Sequence, residues 1–237
     1  MHHMSAEEFR RAGREAVDWL AGYMERLSDL PVASSVGPGE IASKLPAHPP
    51  QHAEPFDALL ADLDRVVLPG LMHWQSPRFF GYFPCNTTPV GVIAEMISAG
   101  LNAQGMMWST SPAYTEIETR CLDWLAELIG LDAKFLATFD EGGGVVQRTA
   151  SEASLVAMTV ARDRARRSTR APIERLVAYI SEQAHSSLTK AARIAGLDLA
   201  NLRLVPTDAK LAMRPVALEA AIRADIESGL GPFCVCA

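Results

Sequence analysis

The chain reads as an α/β protein, and three observations carry that reading. Beyond residue 150, segments with helical apolar spacing alternate with short runs rich in β-branched and aromatic residues: "RLVAYIS" at 175–181, "LRLVP" at 202–206 and "GPFCVCA" at 231–237. Such alternation indicates a sheet with many parallel neighbours. The composition is 49% hydrophobic and 21% charged over 237 residues, a globular balance with length for one large domain or a domain plus an extension. The first part of the chain carries helices and a proline-rich connector but no strand pattern, and so reads as that extension.

Taken in order, residues 6–27 form a helix with Phe9, Ala16, Trp19, Leu20, Tyr23, Met24 and Leu27 at helical spacing. The stretch "PVASSVGPGEIASKLPAHPPQHAEP" is an extended connector. A second amphipathic helix fits 56–67, with Leu59, Leu60, Leu63 and Val66 on one side. This arm cannot bury much by itself and needs another surface, a partner subunit being one candidate. Next comes "HWQSPRFFGYFPCNTTP", where aromatics cluster between prolines; it reads either as a packed core loop or as a ligand surface. A helix follows at 89–102. Another begins at "SPAYTE", where Ser111 suits the N-cap and Pro112 the first helical position, with Ile117, Leu122, Leu125 and Leu128 as its apolar side. Further helices fit 151–166, 186–195 and 215–228 between the strands.

Several function classes are disfavoured. A net charge of −6 gives no concentrated basic surface for nucleic acid. No apolar run approaches the roughly 18 residues of a membrane helix, and the amino terminus lacks a signal core. His2 and His3 read as an appended remnant rather than a metal site. Cys234 and Cys236 share one face of a strand without further ligands at metal spacing, so they read as buried free thiols of a cytoplasmic protein. The run "ARDRARRSTR" reads as a solvated helix end.

Two motifs can carry chemistry. Thr149-Ala150-Ser151-Glu152 fits a capping box and would start a helix without any ligand. A glycine run, Gly142 to Gly144, stands before it, so the backbone of Ala150 and Ser151 would be uncovered at the positive end of a helix, where a phosphate is held well. No Gly-Lys-Ser/Thr follows, and Gly-x-Gly-x-x-Gly is absent, so neither nucleotide fingerprint applies. His185 falls just after the first predicted strand, at the start of the next helix. Ligands of α/β sheets gather at that end of the strands, and a histidine there can stack on a flat cofactor or move a proton, or be purely structural.

Four blocks, "HWQSPRFFGYFP", "SPAYTEIETRCLDWL", "GGGVVQRTASEASLVAM" and "SEQAHSSLTKAARIAGL", occur in the order and at the intervals of one family. The chain resembles the aromatic-L-amino-acid decarboxylases, the group II decarboxylases that use pyridoxal 5'-phosphate. The resemblance implies the aspartate-aminotransferase-like fold (fold type I), here incomplete: residues 1–85 as a helical dimerisation arm, and 86–237 as the first part of a large domain on a mixed seven-stranded sheet. It implies a homodimer, with Ala150 and Ser151 at the cofactor phosphate and His185 stacked on the pyridine ring near the substrate. The substrate side would use Trp74, Tyr82, Phe83, Pro84 and Cys85, with Gln104 and Met106 reaching in from the partner. The implied activity is loss of carbon dioxide from an L-amino acid, the ring taking up the electrons. Within the same family, some members instead make aromatic aldehydes in an oxygen-dependent reaction, and a degenerate, non-catalytic interaction protein is a third reading.

This chain departs from the family pattern at Arg148, where a small or polar residue is usual, and at Cys85, Gln104 and Met106. Arg148 either strengthens the phosphate site or points to solvent. The family also has, past the point matching "FCVCA", a Thr-rich phosphate loop, an aspartate for the pyridine nitrogen and the lysine that holds the cofactor. Lys44, Lys134, Lys190 and Lys210 lie in no context resembling that lysine. The sequence is therefore expected to be part of a longer polypeptide or assembly, inactive without the remainder.

Overall fold

A computed structural model describes residues 4–83, 86–140 and 142–237. His2, His3, Pro84 and Cys85, which figured in the sequence reading, lie outside the described residues. The chain divides into two compact units, Met1–Ala103 and Gln104–Ala237.

The first unit is helical. Helix α1 (Ala6–Arg26) opens on a full capping box: the Ser5 hydroxyl accepts the Glu8 N–H, and the Glu8 carboxylate accepts the Ser5 N–H. Helices α2 (Glu40–Lys44) and α3 (Phe56–Asp62) follow. The helix expected through 67 is α-helical only to Asp62 and then widens into a π turn, Leu63–Val67. That turn presents Asp64 to α1, where it accepts from the Trp19 indole at 2.9 Å and pairs with Arg26. One turn along α1, the Tyr23 hydroxyl meets Nδ1 of the buried His73 at 2.9 Å. Burial pushes the His73 pKa down and that of Tyr23 up, so both stay neutral. The start of the connector is pinned: Arg78 donates to the Ser28 carbonyl at 2.6 Å, and Ser34 donates to the Pro69 carbonyl at 2.7 Å. Helix α4 (Pro89–Leu101) starts from a Thr88 cap and leaves Val90, Ile93, Ile97 and Leu101 exposed.

The second unit contains α5 (Pro112–Leu128), α6 (Ala150–Thr169), β1 (Leu176–Ser181), α7 (Ser187–Ile194), β2 (Leu202–Val205), α8 (Pro215–Glu227) and β3 (Gly231–Cys236). Ser111 takes the N-cap position of α5, but its side chain makes no capping bond. The expected apolar side of α5 is largely open, with Ile117, Leu125 and Leu128 exposed and Asp123 and Ala126 buried instead. Asp123 is held inward because its carboxylate accepts the Ala137 N–H at 2.8 Å.

The described strands form one parallel sheet in the order β2-β1-β3. All six residues of the central β1 are buried, as a parallel strand covered on both faces requires. Alternation then assigns the faces. Ala178 and Ile180 pack with Met158 of α6 and with Leu188, Ala191 and Ala192 of α7. Val177 and Tyr179 pack with Val205 and with Ala217, Leu218, Ala221 and Ile222 of α8. Pro232 cannot donate to a ladder, and it sits where the β1–β3 register shifts, between Val177 and Ala178. Cys234 and Cys236 are free and partly buried against the α6/α7 side, and burial raises the Cys234 thiol.

A polar group is sealed into the second face. The hydroxyl of the fully buried Tyr179 donates to Asp225 Oδ2 at 2.8 Å, and Arg203 Nη2 pairs with Asp225 Oδ1 at 2.5 Å. The group ties β1, β2 and α8 together. Arg203 is the first cause of the lowered Asp225 pKa, whereas burial and then Asp225 push Tyr179 well up.

Candidate cofactor site

The direction of the helices places the candidate residues. Helix α7 connects two parallel strands, so it runs antiparallel to them and begins at their carboxyl ends. Helix α6 enters β1 through the short turn Ile173–Arg175 and packs on the same sheet face as α7. Arg162 of α6 donates to the carbonyl of Ala195, which closes α7. The two helices therefore run side by side, and both amino termini lie at the carboxyl edge of the sheet. The run "ARDRARRSTR" is solvated towards its end, whereas Arg162 is half-buried on this seam.

The start of α6 is built from the preceding loop. Gly142 donates to the Phe139 carbonyl at 2.9 Å, and a Cβ on it would fall 2.0 Å from the Leu136 carbonyl oxygen, so only glycine fits. Gly143 has φ 103° and donates to the Phe135 carbonyl at 2.8 Å. Val146 donates to Glu118 Oε1 on α5 at 2.8 Å. At the cap, the Thr149 hydroxyl accepts the Glu152 N–H at 3.1 Å, as expected. The return bond of the box differs: the Glu152 carboxylate accepts from Arg148 N–H at 3.1 Å, not from Thr149. Arg148 thus serves through its backbone, and its exposed guanidinium has no hydrogen bond or ion pair among the described residues.

Among the described residues, the N–H groups of Ala150 and Ser151 have no acceptor, and both residues are exposed. Ser151 adds a hydroxyl at the same place. Two free N–H groups at the positive end of a 20-residue helix suit a phosphate dianion.

His185 stands on the turn between β1 and α7, exposed to solvent, with Nε2 unpartnered among the described residues. Its turn is rigid. Ala184 donates to the Ser181 carbonyl at 2.9 Å, Leu188 donates to the His185 carbonyl at 3.0 Å, and the Ser187 N–H donates to Nδ1 at 3.2 Å. Glu182 clamps the turn to the β2–α8 connection: its Oε1 accepts the Thr207 N–H at 2.8 Å and the Thr207 hydroxyl at 2.6 Å. These hydrogen bonds, led by the Thr207 hydroxyl, hold the Glu182 carboxyl below its ordinary value.

Of the substrate-side residues, Trp74, Tyr82 and Phe83 belong to the first unit. Trp74 stacks on Tyr82 at 5.4 Å and on Phe79 at 5.0 Å. Tyr82 holds φ 53°, and Phe80 and Phe83 are 92% and 93% exposed, so within this chain the segment is not packed as a core loop. Gln104 and Met106 lie on an exposed loop of the second unit. That loop is braced where Thr110 donates to the Gln104 carbonyl at 2.8 Å and the Trp108 indole donates to Glu116 at 2.9 Å. Among the described residues, no hydrogen bond joins Gln104 or Met106 to Ala150, Ser151 or His185. Sequence reading missed Glu182, Thr207 and Ser187. Nothing in the run His185-Ser186-Ser187 marks the second serine over the first; only its burial separates them.

With this geometry in hand, comparison identifies the family. The model of the pyridoxal-dependent decarboxylase conserved domain matches residues 38–237. The chain belongs to that family. It is 45% identical over 237 residues to an Arabidopsis thaliana phenylacetaldehyde synthase, covering 99% of this chain and 48% of that protein. It is 42% identical to the Bos taurus aromatic-L-amino-acid decarboxylase, covering 99% and 50%. The crystal structure of an Oryza sativa TDC with PLP and tryptamine superposes with a TM-score of 0.92 at 37% identity, over 100% of this chain and 52% of that one. The chain spans about half the length of the curated relatives it matches. The fold is that of group II pyridoxal-dependent decarboxylases, of which the three parallel strands here are part of the sheet.

Proposed function

We infer that this chain forms the phosphate and ring-face side of a pyridoxal phosphate site in a decarboxylase of aromatic L-amino acids. The observation that carries the reading is the pair of unsatisfied N–H groups at Ala150 and Ser151, at the same sheet edge as the open imidazole of His185. The donor set fits the cofactor: N–H groups and a hydroxyl for the phosphate, and an exposed flat ring for stacking on the pyridine. When bound, pyridoxal phosphate supplies the electron sink that lets the bond to the α-carboxylate break.

This chain's residues anchor and orient. Ala150 and Ser151 would hold the phosphate, and His185 would cover one ring face. Two such anchors would orient the bound cofactor against the substrate. Trp74, Tyr82, Phe83, Pro84 and Cys85, with Gln104 and Met106 from a second subunit, form the substrate side. Exposed aromatics, with the neighbouring Arg78 engaged by the Ser28 and Leu30 carbonyls, favour an aromatic over an acidic side chain. The same open faces, on α4 and around Phe80, support a homodimer with residues 1–85 as the arm and 86–237 as the start of the cofactor domain. The free thiols support a cytoplasmic setting. Activity needs, besides these residues, the part of the relatives that this chain does not match.

A second reading, aromatic aldehyde synthesis, is favoured by the 45% identity to phenylacetaldehyde synthase. Product analysis separates them. The whole protein with pyridoxal phosphate and L-tryptophan, L-tyrosine or L-phenylalanine is expected to give the amine and carbon dioxide. Aldehyde, ammonia and peroxide would replace that reading by the second. Cofactor absorbance without any turnover, or no absorbance, would return the chain to a non-catalytic interaction protein.

A further inference from the structure

His185 can occupy its place in two tautomers, and only one leaves a donor on its open side. The turn resolves which. The backbone N–H of Ser187 points at Nδ1 at 3.2 Å, and a backbone N–H can only donate. Nδ1 is therefore an acceptor, and the neutral ring carries its proton on Nε2. The Ser187 hydroxyl lies 2.9 Å from the same Nδ1 and, given an acceptor there, donates as well. Both polar groups of one residue converge on one ring nitrogen.

We propose that Ser187 is the positioning residue of His185: its N–H and hydroxyl together fix the ring plane and keep the proton on Nε2. The structure makes Ser187 suited to this. It is 8% exposed, whereas His185 and Ser186 are open to solvent. It is the first residue of α7, so its N–H has no intrahelical carbonyl and is free for the ring. The turn behind it is fixed by the Ser181 and His185 carbonyls and by the Glu182–Thr207 clamp. A group held from one side by two donors loses little further freedom when a ligand stacks on it, and this is how a supporting residue raises affinity without touching the ligand. The consequence for the site is that the edge of His185 facing solvent is an N–H donor, suited to a carboxylate or phenolate oxygen and not to an ammonium group. This inference rests on the cofactor reading above for its ligand, but not for its tautomer.

The test uses the whole protein with nitrogen-15 histidine, read by long-range proton–nitrogen correlation, without and with pyridoxal phosphate. His185 is expected to show an unprotonated Nδ1 and a protonated Nε2 in both states. Ser187→Ala keeps the backbone N–H but loses the hydroxyl donor, so it should raise the share of the other tautomer and weaken cofactor binding about three- to tenfold, the effect of one hydrogen bond. Ser187→Thr, which keeps the hydroxyl, should restore both. A protonated Nδ1 in the unaltered protein would overturn the proposal. So would a Ser187→Ala protein with unchanged tautomer and affinity, or a Ser187→Thr protein no better than Ser187→Ala. If Ser187→Ala does not fold, the unaltered protein and Ser187→Thr still decide. Failure of the unaltered protein to bind pyridoxal phosphate would sink the cofactor reading, and the tautomer would still judge Ser187 by itself.

Discussion

Removing the Tyr179 hydroxyl tests how the strand that leads to His185 is held. In Tyr179→Phe the ring still fills its buried place between β1 and α8, and what is lost is one hydrogen bond to a charged acceptor at 2.8 Å. Such bonds contribute about 1.5–3 kcal/mol. Asp225 keeps Arg203, with Nη2 at 2.5 Å and Nε at 3.1 Å, so its carboxylate is not orphaned and the low end applies, about 1.5 kcal/mol. Asp225→Asn removes the charge that Arg203 faces. Breaking a buried pair costs about 3–5 kcal/mol, but the Arg203 side chain keeps 32% exposure to water, which reduces the cost to about 2 kcal/mol. Because both changes act on one network, the double variant should lose about 1 kcal/mol less than the sum. Urea unfolding by far-ultraviolet circular dichroism, with hydrogen exchange at the β1 amides, measures all three. Stability of Tyr179→Phe equal to the unaltered protein, or strict additivity with Asp225→Asn, would refute the network as a structural tie. Its pH dependence follows as well. The folded Asp225 carboxyl titrates below its unfolded value of about 3.9, so its contribution is complete above that value and is lost as pH falls through the lower folded one. Tyr179 is raised, so its contribution is complete below about pH 10 and is lost only as pH rises through the higher folded value.

Gly142→Ala should destabilise the second unit by about 3 kcal/mol, the upper end of overpacking, because its Cβ meets the Leu136 carbonyl oxygen; the urea midpoint checks this. Thr149→Ala removes the α6 cap and should lower stability by about 1 kcal/mol, while weakening pyridoxal phosphate in an absorbance titration, since Ala150 and Ser151 follow the cap directly. His73 has a pKa lowered by burial, so its contribution to the first unit is complete above the unfolded value of about 6.5 and is lost as pH falls through the lower folded one. Tyr23 fluorescence or exchange of the α1 amides should show that unit loosening first as acid is added.

The sequence exposed what local chemistry decides. The three strands are short runs bounded by turn residues, and the helix starts at Ser5, Thr88 and Thr149 carry hydroxyl caps that a reader can find. His185 was legible from its place after a strand, because parallel topology sends every such turn to one edge. Less legible were features that depend on contacts far along the chain. Nothing near Asp123 announces that it will turn inward to the Ala137 N–H, nor does Glu182 announce its bond to Thr207. The apolar side of α5 was legible, but what lies against it was not, since periodicity says which side is apolar and not what covers it. The same holds for "FFGYFP", whose aromatic content fits a core loop or a ligand surface equally and which this chain by itself presents outward.

The start of α6 is where the cofactor phosphate is expected to sit. A crystal structure of the whole protein with pyridoxal phosphate tests it most directly. It is predicted to place phosphate oxygens within hydrogen-bond distance of the Ala150 and Ser151 N–H groups, with the imidazole of His185 flat against the pyridine ring. A cofactor phosphate bound away from the start of α6, or a His185 ring that does not meet the cofactor, would contradict it.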